Sequence, residues 1–130
     1  RAGHDEGARV SIESKVFAAL SPLVGVDGRG MKCCYPVTLP QDPTYPAIVY
    51  QVTSADPSAL TQAAHFSDWT VLVTLYAEDK DSLLTLRAAV LAAADAMPEH
   101  KSRSEIGDGY EFEAKLFSWK VNFEFRNSET

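Results

Sequence analysis

Glu78, Asp79 and Asp81 crowd together as a group of side chains capable of chemistry in this 130-residue chain. Neighbouring carboxylates shift one another's pKa, so such a group could serve as an acid/base pair or bind a metal ion. The three residues precede a run of apolar residues at helical spacing, however, and acidic side chains are favoured at the positive end of a helix dipole. We therefore interpret them as the start of a helix.

Cysteines and glycines offer two further possibilities for chemistry. Cys33 and Cys34 are adjacent, and neighbouring cysteines close only a strained ring, which favours reduced thiols over a disulfide. A second pair of ligands at metal-site spacing is missing. The glycine-rich run from Gly25 to Gly30 follows a helix instead of joining a strand to a helix, which favours a turn over a phosphate loop. We predict no catalytic, metal-binding or cofactor-binding residues, and no enzyme.

The aromatic residues could stack on nucleic-acid bases, as in sheet-based single-strand binders. The formal net charge of −6 opposes that function, because phosphate binding needs a basic footprint. We therefore interpret these side chains as core residues, and the set is Trp69, Trp119, Phe117, Phe123 and Phe125.

Two segments are candidates for contact with partners. The connection from Ser54 to Asp68 is longer than a usual hairpin loop and carries a His-Phe pair, which either folds back or meets a partner; both alternatives stay open. Near the end of the chain, charged residues alternate along a predicted strand face that is either solvated or a charged subunit contact. The candidate contact residues are Asp56, Leu60, His65, Phe66, Glu111, Glu113 and Lys115.

Apolar periodicity predicts the secondary structure, with Ser11 as a suitable N-cap and Gly25 as a suitable C′ residue of the first helix. The predicted elements are a helix from Ser11 to about Leu20, a short edge strand from Tyr35 to Leu39, strands from Ala47 to Thr53 and from Trp69 to Ala77, a helix from Asp79 to Met97, and a polar loop from Glu99 to Gly109.

The last apolar segment changes register. Apolar residues take even positions from Tyr110 to Leu116 and odd positions from Phe117 to Phe125, so the inward face flips between Leu116 and Phe117. One long bent strand or two strands would fit. We expect a β-bulge, because no Gly, Pro, Asn or Asp marks a turn there.

These elements predict an α+β fold with two helices packed on one face of a mainly antiparallel, four- to five-stranded sheet, in the order α-β-β-β-α-β(-β). The strand from Trp69 is apolar on both faces, which predicts a central position. We expect a disordered leader over residues 1–10, one domain over residues 11–127 and a tail over residues 128–130. No apolar run is long enough to span a membrane, and we expect a soluble cytoplasmic protein.

The order and spacing of these elements resemble the tail-terminator, or tail-completion, proteins of long-tailed bacteriophages, from Ser11 to Asn127. Only the stretch from Val26 to Cys34 is longer than the family's usual turn. The segments that carry the resemblance are Leu23-Val24-Gly25, Tyr35-Pro36, the strand from Ile48 to Val52, Leu75-Tyr76-Ala77, the alanine-rich helix, and Val121, Phe123, Phe125 and Arg126.

This resemblance implies a structural virion protein at the head-proximal end of the tail, assembled in the host bacterial cytoplasm. Six copies would form a ring that ends tail-tube polymerisation and receives the head. The implied partners are other copies of the chain, the tail tube protein and a head-tail connector or stopper protein, with DNA only as passing cargo. The alternatives are another neck ring protein, the tube protein itself, or a small α+β ligand-binding or regulatory dimer.

Overall fold

The computed structural model describes residues 12–28, 30–41, 43–56 and 66–128, with side chains for all of these except 54–56, 66–67 and 127–128. Ser11 and the predicted leader lie outside this part of the chain. None of the helices within it is long and apolar enough to cross a membrane.

Two α-helices and five strands lie within the described ranges, in the predicted order with both final strands present. The α+β class is confirmed. The elements are α1 (12–20), continued by a 3-10 helix at Ser21–Leu23, then β1 (Cys34–Pro36), β2 (Ala47–Asp56), β3 (Phe66–Ala77), α2 (Lys80–Asp95), β4 (His100–Glu111) and β5 (Leu116–Ser128).

The five strands form one sheet in the order β1-β2-β3-β5-β4. Only β1 and β2 run parallel, and the other three neighbouring pairs are antiparallel. The sheet is therefore mainly antiparallel, β3 is central and β1 is an edge strand, all as predicted. The last strand, β5, pairs with β3 on one side and with its hairpin partner β4 on the other, so it lies inside the sheet.

Both helices cover the same face of the sheet. The ring of Phe17 in α1 lies 6.4 Å from that of Tyr50 in β2, and the guanidinium of Arg87 in α2 lies 5.7 Å from the ring centre of Trp119 in β5. Cross-strand neighbours put the apolar residues of β2, β3 and β5 on this face. Its fully buried strand residues are Ile48, Val71, Val73, Leu75, Trp119, Val121, Phe123 and Phe125.

Sequence signals at the helix ends operate as expected, with one exception. The Asp79 carboxylate accepts hydrogen bonds from the Ser82 backbone N–H at 3.0 Å and the Ser82 hydroxyl at 2.7 Å, which makes Asp79 the N-cap of α2. Pro22 ends α1 by starting the 3-10 turn. The exception concerns Gly25, which follows the C-cap Val24 of that turn at the predicted C′ position but does not adopt the positive φ that is common there.

The predicted polar loop from Glu99 to Gly109 was wrong, because residues 100–111 form β4. This strand lies at the sheet edge and is exposed on both faces over most of its length, so its sequence carries no apolar alternation. The strands β2 and β3 are also longer than predicted. They pair as far as Asp56 with Asp68, which leaves residues 57–65 as their connection.

The predicted bulge between Leu116 and Phe117 was also wrong. Residues 112–115 form the turn of a β4–β5 hairpin, in which Glu111 pairs with Leu116. Lys115, the last turn residue, has a φ of 56°. The left-handed position of a turn is usually occupied by Gly, Asn or Asp, and here it is occupied by Lys115. The sequence therefore lacked the residue types by which such a turn is recognised.

Candidate docking surfaces

The predicted contact residues fall into two separate regions. Asp56 ends β2 and Phe66 begins β3, and their backbones pair with Asp68 and Ser128. Leu60 and His65 lie outside the described residues. The strand ends therefore place the connection 57–65 at one end of the sheet, opposite to the end at which the β4–β5 turn lies.

Glu111, Glu113 and Lys115 lie at that other end, and all three are exposed. They do not share a strand face as predicted. Glu111 is the last residue of β4, whereas Glu113 and Lys115 belong to the turn, because the chain reverses direction after Glu111.

Exposed aromatic residues surround these charges. The ring of Tyr110 packs edge-on against Phe112 at 5.2 Å and lies tilted against Phe117 at 4.7 Å. Phe112 is 84% exposed and Tyr110 and Leu84 are exposed as well. We call Leu84, Tyr110, Phe112 and Phe117 the tip patch. Apolar alternation predicted Tyr110 and Phe112 on a buried strand face, so this patch was not expected from the sequence.

A small cavity of about 200 Å³ lies behind the tip patch, between the first turns of α2 and the hairpin. Its walls are mainly apolar and come from Leu83, Leu84, Tyr110 and Phe117, while Lys80 and Asp108 add charge. An apolar cavity of about 150 Å³ is large enough to bind benzene. The cavity behind the tip patch can therefore receive one aromatic ring.

The outer edge of β4 leads away from the tip patch and is irregular. Register shifts make Lys101 and Ile106 extra residues in the pairing with β5, and Gly107 has a φ of 130°. Bulges and charged side chains are devices that keep an open sheet edge from pairing with another strand. Ile106, 55% exposed, is nevertheless an apolar residue on this edge.

The opposite edge of the sheet presents a different surface. Asp27 organises the loop before β1: its carboxylate accepts hydrogen bonds from the Met31 backbone N–H at 3.0 Å and the Tyr35 hydroxyl at 2.8 Å. Burial and that bond to Asp27 raise the pKa of Tyr35. Val26 and Met31 are more than half exposed beside Lys32. The glycine-rich run is thus a turn, as predicted.

A strained turn follows β1. The Thr38 N–H donates to the Pro36 carbonyl at 2.8 Å across Val37, whose φ is 70°. This is the rare form of γ-turn, and a β-branched residue in it is unusual. The turn places Val37 over the sheet face that the helices leave uncovered, where a shallow groove of about 240 Å³ runs past Leu72, Tyr76 and Lys120.

An ionic cluster lies near the ends of β3 and β5. The Arg126 guanidinium donates to both carboxylate oxygens of Asp68, at 2.9 and 3.3 Å, and the Lys101 ammonium lies 3.4 Å from the same carboxylate. The hydrogen bond from Arg126 lowers the pKa of Asp68, partial burial opposes that shift, and Lys101 adds to it. The cluster ties β4, β3 and β5 together near the end of the sheet at which β3 begins.

The described residues give little support for catalytic chemistry. Cys33 and Cys34 are buried and unbonded, and burial raises the pKa of the Cys34 thiol to about 12, which leaves it protonated and unreactive. Among the described residues the imidazole is that of His100, which is half-buried and lies edge-on to Phe123 and Phe125 with Nδ1 3.8 Å from Asp95. Within the described ranges, no three His, Cys, Asp or Glu residues are grouped as metal ligands would be.

Comparison with models of known protein families and with curated protein sequences found no match for this chain. The resemblance to tail-terminator proteins therefore stays a prediction. The observations that bear on function are the exposed surfaces at the two edges of the sheet.

Proposed function

We propose that this chain is a structural virion protein that caps the head-proximal end of a bacteriophage tail tube as a ring, which is the function that its resemblance implies. One structural observation carries the proposal beyond that resemblance. The two edges of the sheet expose different apolar surfaces, the tip patch with Ile106 on one side and Val26 with Met31 on the other. A subunit of a closed ring needs two such different patches, since each copy meets two neighbours through unlike surfaces.

The uncovered face of the sheet adds a second line of support. Leu72 and Tyr76 on β3 are only half-buried there, and Val37 is 57% exposed beside them. Apolar side chains on both faces of a central strand favour a sheet that is covered by helices on one side and by another protein on the other. In the proposed ring this face would meet a neighbouring subunit or the tube.

The acidic charge fits a ring through which DNA passes. A net charge of −6 gives no basic footprint for binding phosphates, and a channel lined with carboxylates would let DNA slide without adhering. A map of the potential inside an assembled ring tests this point, and a basic lumen would contradict it.

A capping assay tests the function directly. Tail tube subunits are polymerised with and without this protein, and tube lengths and ends are recorded by negative-stain electron microscopy. We expect shorter tubes with one end closed by a ring of six subunits around a DNA-wide hole. Tubes of unchanged length with bare ends would overturn the proposal.

The same assay separates the rival functions. A tube protein would polymerise into tubes by itself, and a connector or stopper would bind the head-side machinery without shortening the tubes. A ligand-binding dimer would do neither and would remain a dimer in the presence of tube ends.

A further inference from the structure

We propose that the groove on the uncovered face of the sheet is a binding site for a small monocarboxylate with an apolar body, such as an aromatic or branched acid. Binding is a property of the free chain, so the inference goes beyond the proposed function and does not depend on it. We call this site the Lys120 groove, and the residues that line it include Val37, Gln51, Leu72, Thr74, Tyr76 and Lys120.

The first argument is a buried hydroxyl group without a partner in the protein. Thr74 on β3 is only 6% exposed, and it borders the Lys120 groove. Within the described ranges its side chain makes no hydrogen bond, and its oxygen is not sealed in the interior, so the hydroxyl opens on the groove. A buried polar group without a partner costs free energy, so a ligand that bonds to this hydroxyl gains affinity.

The second argument is the charge of the groove. Lys120 supplies the one charge among the described residues that line it, and its ammonium group forms no ion pair with them. Lys120 lies directly opposite Thr74 where β5 pairs with β3, so the two side chains emerge next to each other on the uncovered face. A carboxylate can accept hydrogen bonds from the ammonium and the hydroxyl together.

The single cation also limits the kind of anion. A phosphate or a dicarboxylate would bring a second negative charge to a groove whose described residues hold one cation, on a chain with a net charge of −6. The charge of the groove therefore selects a monocarboxylate.

The third argument is the size of the groove and its apolar walls. The volume is about 240 Å³, and Val49, Leu72 and Tyr76 supply apolar surface. A cavity of about 150 Å³ holds benzene, and one water molecule occupies about 30 Å³ of the liquid, so the Lys120 groove has room for an aromatic ring with a carboxylate attached. An acidic side chain of another protein would reach Lys120 but leave the apolar walls uncovered, which favours a free acid.

The strained turn after β1 completes the groove. Val37 has a φ of 70°, and its N–H donates to the Tyr50 carbonyl at 2.8 Å, which holds the valine over the groove. Strained residues persist where the surrounding structure holds them, and they are common at ligand clamps. Val37 is 57% exposed, so the body of a ligand below it would bury apolar surface that now faces solvent.

Benzoate is the probe, and amide NMR spectra of the isotope-labelled chain report where it binds. We expect shifts centred on Thr74 and Lys120, with a dissociation constant of about a millimolar, as is usual for so small a ligand. Benzamide has nearly the same shape without the charge, and it should bind at least about fivefold more weakly. Equal shifts with benzamide, or shifts spread over the exposed lysines instead of the groove, would overturn the inference.

Substitutions that keep the shape of the groove test its polar groups. Lys120→Met retains an unbranched side chain and should weaken benzoate binding at least about tenfold, whereas Thr74→Val should weaken it about threefold. Lys80→Met is the matched control, because Lys80 borders the cavity behind the tip patch, and it should leave the affinity unchanged. Unchanged affinity in Lys120→Met, or a loss in Lys80→Met instead, would overturn the inference.

The capping assay keeps the two proposals apart. If tubes are capped and benzoate causes no shifts in the Lys120 groove, only the inference falls. If benzoate binds as expected and tubes stay uncapped, the proposed function falls and the inference stands.

Discussion

Phe112 and Phe123 are the same residue type in opposite surroundings, one 84% and the other 1% exposed. Phe123 fills the space between the sheet and the helices, so Phe123→Ala should lower the free energy of unfolding by about 3–5 kcal/mol. Phe112→Ala should change it by less than about 0.5 kcal/mol, as expected for a surface position. Urea unfolding of both variants gives the comparison.

A large loss of stability in Phe112→Ala would show that the ring of Phe112 packs against its own chain. The tip patch would then lack an aromatic side chain that is free to contact a partner. An equally small effect of Phe123→Ala would contradict the described core.

Asp68 should make stability depend on pH. Its pKa is lowered in the folded protein, mainly by Arg126, so its contribution is complete above the ordinary pKa of about 3.9 and is lost as the pH falls through the folded value. Asp68→Asn should therefore be less stable than the wild type at pH 7, and the difference should shrink as the pH falls below the ordinary pKa of about 3.9 and through the lowered folded pKa. Urea unfolding at several pH values measures it.

Salt provides the control for the Asp68 prediction. The cluster is partly exposed, so added salt should shrink the difference between wild type and Asp68→Asn at pH 7. A difference that is unaffected both by added salt and by lowering the pH until the Asp68 carboxyl is protonated would contradict the ionic origin.

Individual residues were predictable where one physical signal dominated. Asp79 was found because acidic residues before an apolar run start helices. Trp119 was assigned to the core because the acidic net charge argues against a base-stacking surface. The tip patch was not found. Its recognition requires the turn at 112–115, and Lys115 adopts the left-handed conformation there without a residue type that announces it.

At the scale of elements, the bulge in β4 depends on Gly107. Its φ of 130° is strained for any residue with a Cβ, so Gly107→Ala should cost about 1–3 kcal/mol of stability. Gly25→Ala is the matched control: Gly25 has no positive φ, and an added Cβ meets no atom within 4 Å. It should be neutral or stabilising by up to about 1 kcal/mol.

Equal effects of the two glycine substitutions, measured by urea unfolding, would mean that β4 continues without the bulge at Gly107. The open edge would then be regular enough for strand addition, and that route to self-association would become available.

Elements with a periodic apolar face were the predictable ones. The core lies against β3 and α2, so apolar residues alternate along β3 and recur at helical spacing along α2. The ends of both elements were predicted to within three residues of the observed ones. The strand β4 has no such face, since it is an edge strand whose residues are exposed on both sides over most of its length. Its position is set by pairing with β5, a contact that a local pattern does not record.

At the scale of the whole molecule, the proposed function predicts separate roles for folding and assembly. Residues 57–65 connect two strands whose pairing is already complete at Asp56 and Asp68, so a Gly/Ser segment of equal length should leave the urea unfolding midpoint nearly unchanged. The same variant should lose tube capping if His65 and its neighbours contact the tube.

Capping by the replaced variant at the wild-type level would remove Leu60 and His65 from the candidate contact residues. A variant that unfolds at much lower urea would instead indicate that this connection packs on the domain. The tube-length assay and the unfolding curve distinguish these results.

Class and layer arrangement followed from the sequence, whereas strand order and function did not. Two helices and several strands with one apolar face leave few ways to bury that face, which made the α+β class predictable. The position of β5 between β3 and β4 depends on contacts between distant segments. The proposed function depends on surfaces, which apolar periodicity does not describe.

The interior position of β5 also determines when this chain can fold during its synthesis. β5 is translated after every other described element, yet it pairs with β3 on one side and β4 on the other and carries Trp119 and Phe123 into the core. A nascent chain that still lacks β5 has an open apolar face on β3. The domain therefore completes its sheet only after residues up to about 128 have left the ribosome, and until then the nascent chain exposes an apolar strand face of the kind that promotes aggregation.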